Sequence, residues 1–124
     1  MEKPEIKDVI RALEGLLVDA CCTEVQLHEK IAQAFAKAGL SAEHEAKLGP
    51  RCRIDFLVGT VGVEIKKNKP QTAALVEQLG RYAACSQVEE LLVVAPRRVK
   101  LPQKIGGKKV TMMGLERLWG VSLP

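Results

Sequence analysis

The sequence predicts an α/β sandwich in a single domain spanning residues 1–124, with elements in the order ααβββαββα. Three observations predict it. Apolar residues recur at helical spacing in 4–37 and again in 71–85. Residues 51–67 alternate apolar and polar on both sides of Gly59-Thr60, the pattern of a hairpin. Leu91 to Ala95 is an unbroken apolar run between Glu89-Glu90 and Pro96, which suits a strand buried on both faces.

In chain order, residues 4–21 read as a helix, with Pro4 in its first turn and Ile6, Val9, Ile10, Leu13, Leu16 and Leu17 as its stripe. Thr23 and Gln26 form a capping-box pattern. A second helix follows to about Lys37, with Leu27, Ile31, Ala34, Phe35 and Ala38 along one side and Gly39 placed to stop it. Residues 42–48 form a strand ended by Gly49-Pro50. Gly59-Thr60 fits a two-residue type II′ turn, which takes Gly first. After Pro70 a helix runs from about Gln71 to Cys85, carrying Leu75, Gln78, Leu79 and Tyr82 on one face. A short strand near Lys109–Met113 and a helical turn with Leu115, Leu118 and Trp119 finish the chain.

Composition excludes several classes. The chain is 47% hydrophobic and 27% charged over 124 residues, which rules out a disordered or collagen-like chain. No apolar run approaches the ~18 residues of a membrane span, and Met1–Asp8 is charged from residue 2, unlike a secretory signal. A cytoplasmic location without membrane association is the expectation. Cys21, Cys22, Cys52 and Cys85 contain no C-x-x-C pair and read as reduced thiols. Aromatics are 3%, too few for a base-stacking platform. Residues 1–50 hold 6 Lys/Arg against 9 Asp/Glu, and residues 51–124 hold 13 against 6. A basic half on a small domain points to a polyanionic partner, nucleic acid first, or else to a solvated basic surface.

The hairpin register carries the chemistry. A turn at 59–60 pairs 58 with 61, 56 with 63 and 55 with 64. Asp55 and Glu64 would then stand directly opposed, with Lys66 two residues on along the same face. The reverse face would be wholly apolar: Cys52, Ile54, Phe56, Val58, Val61, Val63 and Ile65. Two opposed carboxylates destabilise each other unless a cation sits between them. Mg²⁺ commonly takes one or two carboxylates and keeps several waters. Lys66 would orient a water or stabilise transition-state charge. The competing reading makes Asp55 and Glu64 surface charges paired with Arg53 and Lys66.

Arg53-Ile-Asp55-Phe-Leu-Val followed by Val-Glu64-Ile-Lys66-Lys resembles the PD-(D/E)xK nuclease superfamily, in particular its small Holliday-junction-resolvase-like domains. The resemblance implies a restriction-endonuclease-like αβββαβ core over residues 24–95, a mixed sheet flanked by helices. An extra N-terminal helix and a short C-terminal β/α tail lie outside it. Glu24 matches the family's helical acidic residue. Gln78 and Tyr82 resemble the Q-x-x-x-Y motif of some branches. Ile54 stands where the family usually has Pro.

The resemblance implies a Mg²⁺-dependent deoxyribonuclease, an endonuclease, for which Mn²⁺ could substitute. Asp55, Glu64 and Glu24 would bind metal, Lys66 would assist, and Gln78 would position the site. Lys67, Lys69, Arg81, Arg97 and Arg98 are the candidates for backbone contact, which positions a duplex without reading sequence. A domain this small leaves substrate recognition to a homodimer or a partner protein. The alternative from another class is a non-catalytic nucleic-acid-binding module on the same scaffold, and a third is an interaction protein docking an acidic partner.

Structural alternatives stand beside each role. Glu24 could serve only the helix dipole, and Gln78 could hydrogen-bond a structural partner. Tyr82 reads as core, and His28 and His44 as structural or solvated. Glu45 is a weak further ligand candidate. Lys104–Lys109 reads as a basic turn. Helical phase separates the two glutamates of the second helix. At about 100° per residue Glu24 lies ~20° from Ile31 in projection, and Glu29 lies ~160° from it.

Overall fold

The computed structural model describes residues 3–16 and 22–115. In chain order they form α1 (Ile6–Glu14), α2 (Glu24–Lys37), β1 (Ala42–Gly49), β2 (Cys52–Val58), β3 (Val61–Ile65), α3 (Thr72–Ala83), β4 (Glu90–Ala95), β5 (Lys104–Ile105) and β6 (Lys108–Gly114). The strands make one six-stranded mixed sheet in the order β1-β2-β3-β4-β6-β5. β4 lies inside it, parallel to both β3 and β6. The other neighbours are antiparallel.

Helices cover both faces. Val9 and Leu13 of α1 and Leu27, Ile31 and Phe35 of α2 share one core with Phe56, Val63, Leu92 and Val94. Leu75, Leu79 and Tyr82 of α3 share the other with Ile54, Leu91 and Val93. Alternate residues of β4 thus enter opposite cores, which is why its sequence is apolar without a break.

The helix ends follow from their sequences. Thr23 accepts the Gln26 backbone N–H, and the Gln26 side chain accepts the Thr23 N–H, a reciprocal capping box. At the other end Leu40 N–H reaches Phe35 O, Gly39 N–H reaches Ala36 O, and Gly39 takes φ +77. That is a Schellman stop, which needs the left-handed conformation glycine adopts freely. The first helix is shorter than the 4–21 expected. It stops at Glu14, with Gly15 as its C-cap at φ −90, and Leu16 lies outside it. Leu17 and Cys21 fall outside the described residues.

One further expectation is corrected near the tail. Lys104–Lys109 is a hairpin rather than a bare turn: β5 pairs with β6 around Gly106 and Gly107, both at positive φ, the signature of a type I′ turn. The helical turn expected at Leu118 and Trp119 lies outside the described residues, while Leu115 is buried and donates its N–H to Ala95 O.

The hairpin of β2 and β3 keeps its expected register, but only for three rungs: Val58↔Val61, Leu57↔Gly62 and Phe56↔Val63. Gly59 has φ +61 and Thr60 does not share the positive sign, as a type II′ turn requires. The fourth rung, Asp55 opposite Glu64, does not form. Glu45 of β1 sits at φ +52, and the Glu45–Asp55 position is missing from the β1–β2 register. Across it the strands change face. Ala42, Phe56 and Val58 join the α1/α2 core, whereas Ala46, Leu48 and Ile54 join the α3 core. The wholly apolar reverse face expected of the hairpin is therefore split. Cys52 and Ile54 turn toward α3, away from Phe56 and Val58.

Candidate active site

Where β2 and β3 part, a cleft of about 360 Å³ opens. Its lining includes Glu24 and His28 of α2, Asp55 of β2, Glu64 of β3, and Lys66, Lys67 and Lys69 from the segment after β3. Three elements and one loop thus bring together residues up to 45 positions apart.

Asp55 occupies the point of divergence. In a continued antiparallel ladder the Ile65 N–H would meet the carbonyl of Ile54. Instead it donates to Asp55 Oδ2 at 2.7 Å. Partial burial pushes the Asp55 carboxyl above the usual carboxylate range, with the Ile65 N–H and the His28 and Lys66 side chains opposing. Glu24 pushes it further up.

Glu64 is the one buried charged residue among those described, 4% exposed. Its side chain faces the α3 layer, on the same side of β3 as Gly62. The Tyr82 hydroxyl donates to Glu64 Oε1 at 2.9 Å, and Lys66 Nζ lies 3.1 Å from Oε2. Burial raises the Glu64 carboxyl, and the charge of Asp55 raises it again, against Lys66 and Tyr82. The Tyr82 phenol is itself held far above its ordinary range, first by burial and then by Glu64.

α3 supplies the support. Lys66 Nζ donates to Gln78 Oε1 at 2.9 Å, and Gln78 Nε2 donates to the Tyr82 oxygen at 2.9 Å. Tyr82 also lies 3.2 Å from the carbonyl of Arg53. Gln78 and Tyr82 are four residues apart on one helical face, so both reach the same carboxylate–ammonium pair. Gln78 therefore does have specific partners within an apolar stripe.

The remaining predicted residues divide. Glu24 is exposed and lines both the cleft and a neighbouring groove, whereas Glu29 is exposed and lines only that groove, with His44 and Glu45. Lys67 and Lys69 stand on the cleft wall. Arg97 and Arg98 are exposed just beyond β4, at the same end of the parallel β3–β4 pair as Lys66, whose N–H bonds Val94 O at 2.8 Å. Arg81 does not reach the cleft; it sits in the last turn of α3 with Glu77 3.5 Å away.

Two residues read as structural in the sequence belong to this region. Tyr82 is core by burial, yet its hydroxyl is on Glu64. His28 Nε2 lies 4.0 Å from Asp55 Oδ2, and its Nδ1 lies 3.1 Å from His44 Nε2, which stacks on Phe56. The available signal was spacing: His28 follows Glu24 by one helical turn, as Tyr82 follows Gln78.

Among the described residues no three His, Cys, Asp or Glu side chains gather as a ready-made metal-binding group. The donor set still fits a hard cation that keeps its waters. Two carboxylates converge, both are pushed toward protonation, and a divalent cation would relieve both. No described helix is long and apolar enough to cross a membrane. Comparison with family models, with curated proteins and with solved structures finds no match for the chain.

Proposed function

We propose that the chain is a metal-dependent nuclease of the PD-(D/E)xK type that hydrolyses phosphodiester bonds in DNA as an endonuclease. The observation that carries this reading is the Asp55–Glu64 pair. Glu64 is buried, the charge of Asp55 raises its carboxyl, and Lys66 closes on it at the floor of a cleft walled by Lys67 and Lys69. A purely binding surface has no use for carboxylates facing a polyanion.

In this reading Asp55 and Glu64 hold Mg²⁺ or Mn²⁺, with Glu24 reaching the ion or its waters from α2. The ion supplies Lewis acidity at the phosphate and at the attacking water. Lys66 places its ammonium beside the reacting phosphate and stabilises the charge that develops there. Gln78 holds Lys66 at one end and Tyr82 at the other, and Tyr82 fixes the rotamer of Glu64. Lys67, Lys69, Arg97 and Arg98 contact the DNA backbone.

The test is incubation of the purified protein with plasmid, linear and branched DNA in Mg²⁺, in Mn²⁺ and in chelator. Cleavage that requires metal and is lost in Asp55→Asn supports the assignment. Binding with no cleavage of any substrate in either metal would replace it with the non-catalytic nucleic-acid-binding module.

A further inference from the structure

Two of the four cysteines meet at a place the proposed chemistry does not use. Cys52 opens β2, and Cys85 lies two residues beyond α3. Their sulfurs are 4.0 Å apart, although 33 positions separate them in sequence. Both are half-buried at the margin of the α3 core, whereas Cys22 is buried in the other core. The segments carrying them are already tied together, because the Tyr82 hydroxyl lies 3.2 Å from the carbonyl of Arg53. Tyr82 is one helical turn before Cys85, and Arg53 directly follows Cys52.

We propose that Cys52 and Cys85 are an oxidisable dithiol, closed by hydrogen peroxide to an intramolecular disulfide that locks β2 to the end of α3. A disulfide needs its sulfurs ~2.05 Å apart, so the two side chains share about 2 Å of approach. The closed loop would hold Asp55, Glu64, Lys66, Gln78 and Tyr82 between its covalent ends, leaving Glu24 outside.

The reaction balances with the peroxide as sole oxidant. One thiolate attacks the O–O bond, which breaks; its sulfur becomes a sulfenic acid and the leaving hydroxide departs as water. The second sulfur then attacks the sulfenic sulfur and expels the hydroxyl as a second water. Two thiols are oxidised by two electrons in all, their two protons leave in the waters, and the peroxide is reduced. Burial holds the Cys52 thiol up, with the Arg81 guanidinium opposing it, so closure is slower than at an activated thiol.

The test treats the folded full chain with hydrogen peroxide, blocks free thiols, and maps peptides by mass. The expected result is a Cys52–Cys85 cross-link, loss of two of the four thiols on titration in denaturant, and their return with dithiothreitol. Cys52→Ser and Cys85→Ser should each lose the cross-link. Mapping the unsubstituted chain decides the matter even if a serine variant folds poorly. Thiols that stay reduced, separate oxidation of either sulfur, or a bridge to Cys21 or Cys22 would overturn the proposal. The readout is thiol chemistry, so it stands or fails independently of nuclease activity.

Discussion

The side chain of Asp55 takes the place of a backbone acceptor: the Ile65 N–H, which a continued ladder would direct at Ile54, bonds Asp55 Oδ2 at 2.7 Å. One carboxylate therefore both ends the hairpin and faces the cleft. Opposed acidic residues alone predict that removing either one relieves repulsion. The geometry changes that expectation for Asp55. Asp55→Ala leaves a partly buried N–H without its acceptor, which costs about 1–3 kcal/mol. Asp55→Asn keeps an oxygen there and removes the charge. Urea unfolding in chelator should find Asn more stable than Ala by about 1 kcal/mol or more, with neither cleaving DNA. Equal stabilities would show that the Ile65 bond contributes nothing.

The pH dependence follows from the sign of the Glu64 shift. Its folded carboxyl is raised by burial and by Asp55. A raised carboxyl favours the folded state below the ordinary carboxylate range, near ~4.3. That contribution is lost as pH climbs through the raised value. Metal-free protein should therefore lose stability relative to Glu64→Gln as pH rises above about 4. Mg²⁺ should restore much of the difference. A stability difference that stays level across this range would mean that ionised Glu64 is fully compensated by Lys66 and Tyr82.

Tyr82→Phe removes one hydroxyl that serves Glu64, Gln78 and the Arg53 carbonyl. Loss of a bond to a charged acceptor costs about 1.5–3 kcal/mol. Cleavage should fall about 10–100-fold, as for loss of an outer-shell partner of a metal ligand, without the complete loss expected of Asp55→Asn. The affinity for DNA in chelator should not change, since Tyr82 is buried. A Phe variant with full activity would leave Tyr82 a core residue only.

Gly62 tests the packing beneath the site. A methyl group there would stand 2.7 Å from Ile54 Cδ1 and 3.2 Å from Leu91 Cδ2. Both neighbours are buried, at 1% and 0% exposure, so neither moves freely. Gly62→Ala should destabilise by about 1–3 kcal/mol. Thermal unfolding checks it, and an unchanged Tm would mean that Ile54 has room to rotate.

How much was legible depended on how local the cause was. Thr23 with Gln26 and Gly39 mark both ends of α2 because capping is decided within a few residues. The Gly59-Thr60 turn sets three rungs of the hairpin for the same reason. The fourth rung was not legible. It depends on a left-handed Glu45 in a neighbouring strand, a conformation its own sequence does not announce. The hydroxyl of Tyr82 was hidden differently: burial and hydrogen bonding are separate properties of one side chain. Its hydrophobic spacing revealed only the first.

The two glutamates of α2 give the sharpest comparison. Leu27, Ile31 and Phe35 are fully buried against the sheet, while Val25 is 68% exposed. The helix therefore packs on the first set, with Ala32 at its margin, while Val25 and Ala36 stay exposed. That orientation turns Glu24 to the cleft, close enough to push the Asp55 carboxyl up, and leaves Glu29 on a neighbouring groove beside Glu45. Glu24 is exposed, so Glu24→Gln should fold as well as the parent chain. If it reaches the ion or its waters, turnover should fall about 10–100-fold, as for loss of an outer-shell partner. More metal should be needed for half-maximal rate. Glu29→Gln should match the parent in both. An inactive Glu29→Gln beside an active Glu24→Gln would require the catalytic ion to lie on the other side of His28, in the groove with His44 and Glu45.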